Sequence, residues 1–379
     1  MDDRHRQALL AGTATSVVVA LMGFLFFSSN TAEVVAPPSP GPEVTCEDWH
    51  AVAAGDLGVG ASALHDVAGL RPTDVWAVGS RANEPLVLHA VDGEWQTVVP
   101  ALKGVRGSTE LTGIDVLASD DVWAVGTSRT AKGQTPLVLH WDGETWNRQT
   151  LARQTPSDAA LLAVDATKDE VVVVGGTGDV VAGTGEPVIE SFGGRRWVLE
   201  RPDSQTGVLR DVLIDDRGRV VAAGFRGDPA ELVSIPFAEV RDGRRFREFL
   251  AEERARNALY SVDAGPGEDP WVLGTMAALF DGRGFERVTV ALAGTSILDA
   301  VQTTPRRADA VGVRTTQGGP RPVFAKWTGK TWEPVKEPAT SEIPGSLEGL
   351  MLARNGQGWA VGTRETQEGG TALVLRKGC

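Results

Sequence analysis

Three sets of side chains recur along this 379-residue chain at spacings that could support chemistry. Five arginines follow short Val- and Ala-rich runs that end in glycine. Arg81, Arg226, Arg314 and Arg364 stand two residues after Gly79, Gly224, Gly312 and Gly362, and Arg129 stands three after Gly126. Guanidinium groups gathered on one face would hold a carboxylate, sulfate or phosphate by forked hydrogen bonds. The competing reading is solvation, or pairing with local acids such as Glu84 and Glu365. The second set is Asp66, Asp115, Asp165, Asp211, Asp263 and Asp299, with Leu350 breaking the series. Crowded carboxylates can bind a cation or raise one another's pKa. No spacing here matches a calcium loop, and repeated aspartates also bond neighbouring backbone amides. The third set is the pair Cys46 and Cys379, which could form a disulfide.

The elements that must position these residues form an internal repeat. DVWAVG ends at Gly79 and again at Gly126, with weaker copies ending at Gly175, Gly224, Gly274, Gly312 and Gly362. The step is about 47–50 residues, with one shorter step of about 38. Each unit carries four apolar or β-branched runs bounded by Gly, Pro and Asp, which is the strand signal. Asp92-Gly93, Asp142-Gly143 and Asp242-Gly243 sit before the fourth run and suit hairpin turns with positive φ. Four strands in a unit of 40–50 residues predict a propeller blade. The fold class is therefore all-β, a seven-bladed β-propeller of four-stranded blades.

The last unit stops after its third strand at Cys379, and the residues from Glu47 to Val52 supply an aromatic-led strand from the other end of the chain. The ring is then closed by the N-terminal strand completing the last blade. In that register Cys379 falls on the position of Gly143, and Cys46 stands three before Trp49 as Gly143 does before Trp146. A Cys46–Cys379 disulfide would sit where other blades have a hairpin turn, and pairing the two ends removes exposed edges. The tryptophans all fall in second, third or fourth strands and read as blade-to-blade packing. His89 and His140 occupy equivalent positions and read as structural. Strand-two-to-three loops, such as Ser128 to Gln134, Gly176 to Glu186 and Phe225 to Ser234, read as long and variable, the usual character of a binding face.

DVWAVG followed by LHWDGETW resembles the bacterial secreted β-propellers with a "DVWAVG … HWDGxxW" blade consensus, common in actinobacteria. The resemblance runs from Cys46 to Cys379, strongest in the first two units. It implies a propeller in an extracytoplasmic setting, and it brings no shared catalytic residue.

Residues 8–27 are uncharged, a run about 20 long, enough to span the roughly 30 Å hydrocarbon core as a helix. Arg4 and Arg6 precede it, and no Lys or Arg follows until Arg71. The positive-inside rule puts residues 1–7 in the cytoplasm and the propeller outside, as a single-pass protein of the cell membrane. An oxidising exterior suits the disulfide. Residues 28–45, with Pro37, Pro38, Pro40 and Pro42, make a semi-rigid spacer. Residues 46–379 are the propeller.

A net charge of −13 argues against a nucleic-acid partner. Two cysteines and scattered histidines give no zinc set, and no cofactor motif or nucleophile motif occurs. The expectation is a membrane-tethered binding or scaffold module for an envelope protein or anionic glycan. The alternative is a carbohydrate-active enzyme with carboxylates on the loop-rich face.

Overall fold

Apolar runs of three to eleven residues, cut by Gly, Asp and Pro, dictate short antiparallel strands, and every regular element described is one. The computed structural model describes residues 48–57, 59–100, 102, 105–228, 233–250, 257–304, 306–335, 343–367 and 369–378. The chain divides into two units, residues 1–43 and 44–379, and the described residues all belong to the second. The expected span, residues 8–27, its linker, residues 28–45, and both cysteines lie outside them. Among the described residues no helix is long and apolar enough to cross a membrane.

Strand β1 (Trp49–Val52) is followed by a series of four-stranded meanders. The first is β2 (Ser62–Arg71), β3 (Asp74–Arg81), β4 (Glu84–Val91) and β5 (Glu94–Thr97). The second is β6 (Ser108–Ala118), β7 (Asp121–Thr130), β8 (Gly133–Trp141) and β9 (Trp146–Arg148). Next come β10 (Ala160–Ala166), β11 (Val171–Gly176), β12 (Pro187–Phe192) and β13 (Trp197–Leu199), then β14 (Val208–Ile214), β15 (Val220–Asp228), β16 (Val233–Arg241) and β17 (Phe246–Phe249). The chain continues through β18 (Leu259–Asp263), β19 (Trp271–Gly274), β20 (Ala277–Phe280) and β21 (Phe285–Val290), then β22 (Thr295–Thr304), β23 (Arg307–Thr316), β24 (Gly319–Trp327) and β25 (Thr331–Val335). It ends with β26 (Gly345–Leu352), β27 (Gly358–Thr366) and β28 (Gly369–Lys377). Strands β21 and β25 pair in parallel through Thr289 and Val290, joining two meanders into one sheet.

The final meander has three strands of its own. Its fourth comes from the start of the described chain: β1 pairs antiparallel with β28, Trp49 opposite Lys377 and Val52 opposite Val374. The N-terminal strand thus completes the last sheet as expected. Trp49 stacks on Phe324 of the preceding meander at 4.8 Å.

Because each sheet buries both faces, the core is split into layers between successive sheets. Trp76, Val78 and Val87 of the first meander pack with Leu111, Ile114 and Trp146 of the second. The same arrangement repeats along the chain, and Trp359, Val361 and Val374 of the last sheet pack on Leu64, Ala77 and Trp95 of the first, closing the cycle. The tryptophans set this packing, as the sequence suggests. A second-strand indole meets the fourth-strand indole of the next sheet edge to face: Trp76 with Trp146 at 5.6 Å, Trp123 with Trp197 at 6.0 Å, and Trp359 with Trp95 at 5.1 Å. Such pairs add about 0.5–1.5 kcal/mol beyond area burial. Val172 replaces the tryptophan in β11, and its layer is filled by Phe237 and Phe246. His89 and His140 stack on Trp76 and Trp123 at 3.9 and 4.1 Å, each with Nε2 2.8 Å from an aspartate, Asp74 or Asp121. Their role is structural.

Two of the three connections expected to be long are not. From Phe225 to Ser234 the strands stay paired, β15 running to Asp228 opposite Val233 of β16, and from Ser128 to Gln134 β7 runs to Thr130 and β8 resumes at Gly133. The same two-residue turn joins β3 to β4, where Ala82 and Asn83 both adopt positive φ. Polar residues there extend the ladder because the hydrogen bonds continue past the buried layer. Among the described second-to-third connections, the one over residues 177–186 is long.

Candidate functional site

The first strand of every meander carries a β-bulge at the same place. Pairing with the second strand skips one residue between Leu64 and Asp66, and likewise after Leu111, Leu161, Leu209, Leu259, Ile297 and Leu347. The residue before each skip is a wholly buried Leu or Ile. It pairs with the glycine that ends the second-strand motif, Gly79 opposite Leu64 for example. That glycine is required by close approach: a Cβ on Gly79 would lie 1.9 Å from the Ala63 carbonyl oxygen, and one on Gly224 1.8 Å from that of Val208. The motif's glycine and the bulge are therefore one device, and a bulge re-aims a side chain out of the sheet.

The bulged residues are His65, Thr112, Leu162, Arg210, Tyr260, Leu298 and Glu348. All of them line a single cavity of about 670 Å³. Glu110, Arg129, Gln134, Asp179, Val180 and Val181 also line it. The scaffold repeats; the chemistry it presents does not.

On one side a charged bridge forms. His65 Nδ1 lies 2.7 Å from Glu348 Oε2, and its Nε2 lies 2.9 Å from Glu110 Oε1 as an ion pair. Arg129 Nη1 donates to Glu110 Oε2 at 2.8 Å. Burial opposes the imidazolium, but the two flanking carboxylates outweigh it and raise His65 to about 10. Glu110 is pulled down to about 2, chiefly by His65 and then, against burial, by Arg129. The opposite side is apolar: Leu162 and Val180 pack with Phe225 and Tyr260. Arg210 stands between the two halves, its Nε shut off from solvent without a hydrogen-bond partner.

Below the bulges the six aspartates clamp neighbouring sheets. Each described clamp accepts one amide from the next residue and one from the following sheet's first strand. Asp66 accepts from Val67 at 2.7 Å and Ile114 at 2.8 Å; Asp211 accepts from Val212 at 2.8 Å and Val262 at 2.7 Å. Asp115 takes Val116 and Ala166, Asp299 takes Ala300 and Leu350, and Asp165 and Asp263 reach Ile214 and Gln302. These amides lie on the inner edge of strands with no further ladder partner, and the carboxylates satisfy them. Counted from the bulge, the aspartates occupy two levels rather than one ring. Asp66, Asp211 and Asp299 follow the bulge directly and reach the cavity; Asp115, Asp165 and Asp263 stand two residues deeper. Burial pushes Asp66, Asp211 and Asp263 up to about 7, although the amide donors pull the other way. Burial also raises Asp115, Asp165 and Asp299. No group of side chains placed to hold a metal ion occurs among the described residues.

The last sheet has no aspartate at either level. Gly349 directly follows its bulge, where a Cβ would meet the Asp66 Cα at 2.8 Å, and Met351 stands at the deeper position. The seam between last and first sheets is held instead by Glu348 on His65, by Trp359 Nε1 donating to the Pro72 carbonyl at 2.8 Å, and by the Ala372 amide on Ser62 Oγ at 3.0 Å.

The five sequence-selected arginines share the end of the sheets where the cavity opens, but only Arg129 lines it. Arg81 donates to the Leu57 carbonyl at 2.6 Å, with Glu84 at 3.8 Å. Arg226 is tied to Glu248 at 2.5 Å and Ser204 at 2.9 Å, over the Phe237 ring. Arg314 and Arg364 are exposed. The bulged residues escape a reading aligned on the aspartates, because those aspartates shift by two positions between sheets. The signal that finds them is the aliphatic residue 14–15 positions before each motif glycine.

Neither a family model nor a curated protein matches the chain. Solved structures do. A structure of YCF48 bound to a D1 peptide aligns over 90% of this chain and 99% of its own, with TM-score 0.59 at 16% identity. The chain has a β-propeller fold. The extracellular domain of BT4673 from B. thetaiotaomicron aligns over 87% of this chain and 39% of its own, with TM-score 0.55 at 10% identity. At these identities the likeness carries the fold alone.

Proposed function

We propose that this protein is a seven-bladed propeller that binds a protein segment at the mouth of its central channel. The observation that carries this reading is the bulge ring. A repeated backbone device sends unlike side chains (His, Thr, Leu, Arg, Tyr, Leu and Glu) into one cavity, while the rest of each repeat is spent on packing. Variable side chains on a rigid frame are how a binding surface is built. A propeller of similar fold has been solved with a peptide bound. The exposed Arg314 and Arg364, with Arg129, would extend the contact along the rim; Arg81 and Arg226 would support it from within their own ion pairs.

The same proposal places the propeller outside the cell, tethered by residues 8–27 on the spacer 28–45, with Cys46 joined to Cys379. The register Trp49 opposite Lys377 runs toward both cysteines, since Cys46 lies three residues before Trp49 and Cys379 two after Lys377. A glycan-cleaving role has less support. Glu110 is held near 2, too low for a general acid, and the raised aspartates on the cavity hold amides with both oxygens.

The test is recovery of envelope partners with the full chain and with a Leu298→Lys variant. Leu298 faces the cavity and belongs to none of the hydrophobic layers between sheets. The reading expects a stoichiometric protein partner with wild type, lost in the variant at unchanged Tm. A partner recovered equally by both, or polysaccharide turnover that survives without one, would contradict it.

A further inference from the structure

The charged groups of the cavity are matched except for one. His65, Glu110, Glu348 and Arg129 satisfy one another. Arg210 does not join them. It makes no ion pair or hydrogen bond among the described residues, its Nε is closed off from water, and its nearest aromatic neighbour is the Tyr260 ring, 5.9 Å from the guanidinium carbon. Burial works against its charge. A guanidinium with one donor closed off from water and no acceptor is costly, and such groups call for a partner.

We propose that Arg210 receives a single carboxylate whose carrier places an aliphatic or aromatic group against Leu162, Val180 and Tyr260. This rests on the reading of the channel mouth as the binding surface and names the chemistry it recognises. The planar fork of arginine fits a carboxylate with two parallel hydrogen bonds. The wall beside it is apolar and backed by Phe225, whose ring lies 5.9 Å from that of Tyr260. A dianion such as phosphate is disfavoured, because Glu110, Glu348 and Asp211 border the same space. The carboxylate could be a peptide's terminus or an acidic side chain.

Tyr260 is the single tyrosine of the chain, so the full-length protein labelled with 3-fluorotyrosine gives one fluorine resonance, and that resonance sits in the cavity. N-acetyl-leucine should shift it saturably at millimolar concentration, as expected for a ligand of this size. N-acetyl-leucinamide and inorganic phosphate should not. Amidated N-acetyl-Leu-Asp separates the sources: a response assigns the side-chain carboxylate as well, and silence leaves the terminus. Arg210→Gln should weaken the N-acetyl-leucine response at least tenfold, and Arg210→Lys should keep part of it. An equal response to the amide, a response to phosphate alone, no response to any carboxylate, or an unchanged response in Arg210→Gln would each overturn the proposal. Should Arg210→Gln not fold, the wild-type comparison of acid with amide decides alone. An equal response to acid and amide leaves the channel mouth as a binding surface, whereas that reading falls on the partner-recovery experiment.

Discussion

Replacing Asp66 by alanine tests the clamp that joins successive sheets. The side chain accepts the amides of Val67 and Ile114 at 2.7 and 2.8 Å, and both residues are buried. Alanine leaves two amides without acceptors. Each unsatisfied buried group costs about 1–3 kcal/mol, so the gross loss is roughly 2–6 kcal/mol. At pH 5 Asp66 and Asp211 are protonated, and repulsion from Asp211 and Asp115 works against the side chain only as pH rises through about 7. The net expectation is a loss of about 2–4 kcal/mol at pH 5, or roughly 5–10 °C in Tm. The pH dependence adds a signature. Asp66 titrates at about 7 in the folded protein, against 3.8 ordinarily. Between those values the folded state holds the extra proton, so the stability Asp66 contributes falls as pH rises. The variant lacks that titration, and the gap between it and wild type should narrow by about 1–3 kcal/mol from pH 5 to pH 8. Urea unfolding followed by tryptophan fluorescence at the two pH values reads both quantities. A loss under about 1 kcal/mol, or a gap that widens with pH, would refute the clamp.

Three further outcomes follow from the same geometry. Wild-type stability should fall from about pH 4 upward: the buried aspartates lose stability from 3.8 to about 7, the single Glu110 contribution is full above 4.5 and fades only as pH falls through about 2, and the His65 contribution is full below 6.5 and fades as pH rises through about 10. Urea midpoints that rise from pH 5 to pH 8 would contradict this. Gly224→Ala should cost more than about 3 kcal/mol, because its Cβ would lie 1.8 Å from the Val208 carbonyl oxygen, and a near-native melting curve would show the bulge to be misread. Arg210→Met should raise stability by about 0.5–2 kcal/mol, since it removes a partly buried cation whose Nε has no acceptor; a drop in Tm would show that Arg210 has an internal partner.

The repeat announces most of the fold. DVWAVG and its copies mark second strands, the aromatics mark fourth strands, and the Trp49 strand closing on β28 is legible from a last unit that ends early. These features are legible because they are packing devices, and packing repeats. The site is less legible for the opposite reason. Its residues differ from sheet to sheet, so His65, Arg210 and Glu348 share no residue type, only a position after a buried aliphatic. The arginines stand out because they repeat in type, yet Arg81 and Arg226 are spent on local contacts. The aspartates mislead differently. Asp66 and Asp115 sit in similar-looking runs, but they stand 13 and 11 residues before their motif glycines and so lie at different levels of the channel. No local preference in one sequence reveals a bulge whose partner glycine lies 15 residues away.

The measurement that bears most directly on the central claim is site-specific photo-cross-linking of the full chain in its native cells. A photoreactive phenylalanine goes at position 260 in the channel mouth, at 298 on the same ring, and at 144 in the hairpin at the far end of a sheet. The account predicts one discrete protein adduct from positions 260 and 298 and none from 144. Adducts from 144 with silence at 260 and 298 would put the contact surface on the wrong end of the propeller and remove the bulge ring from its function.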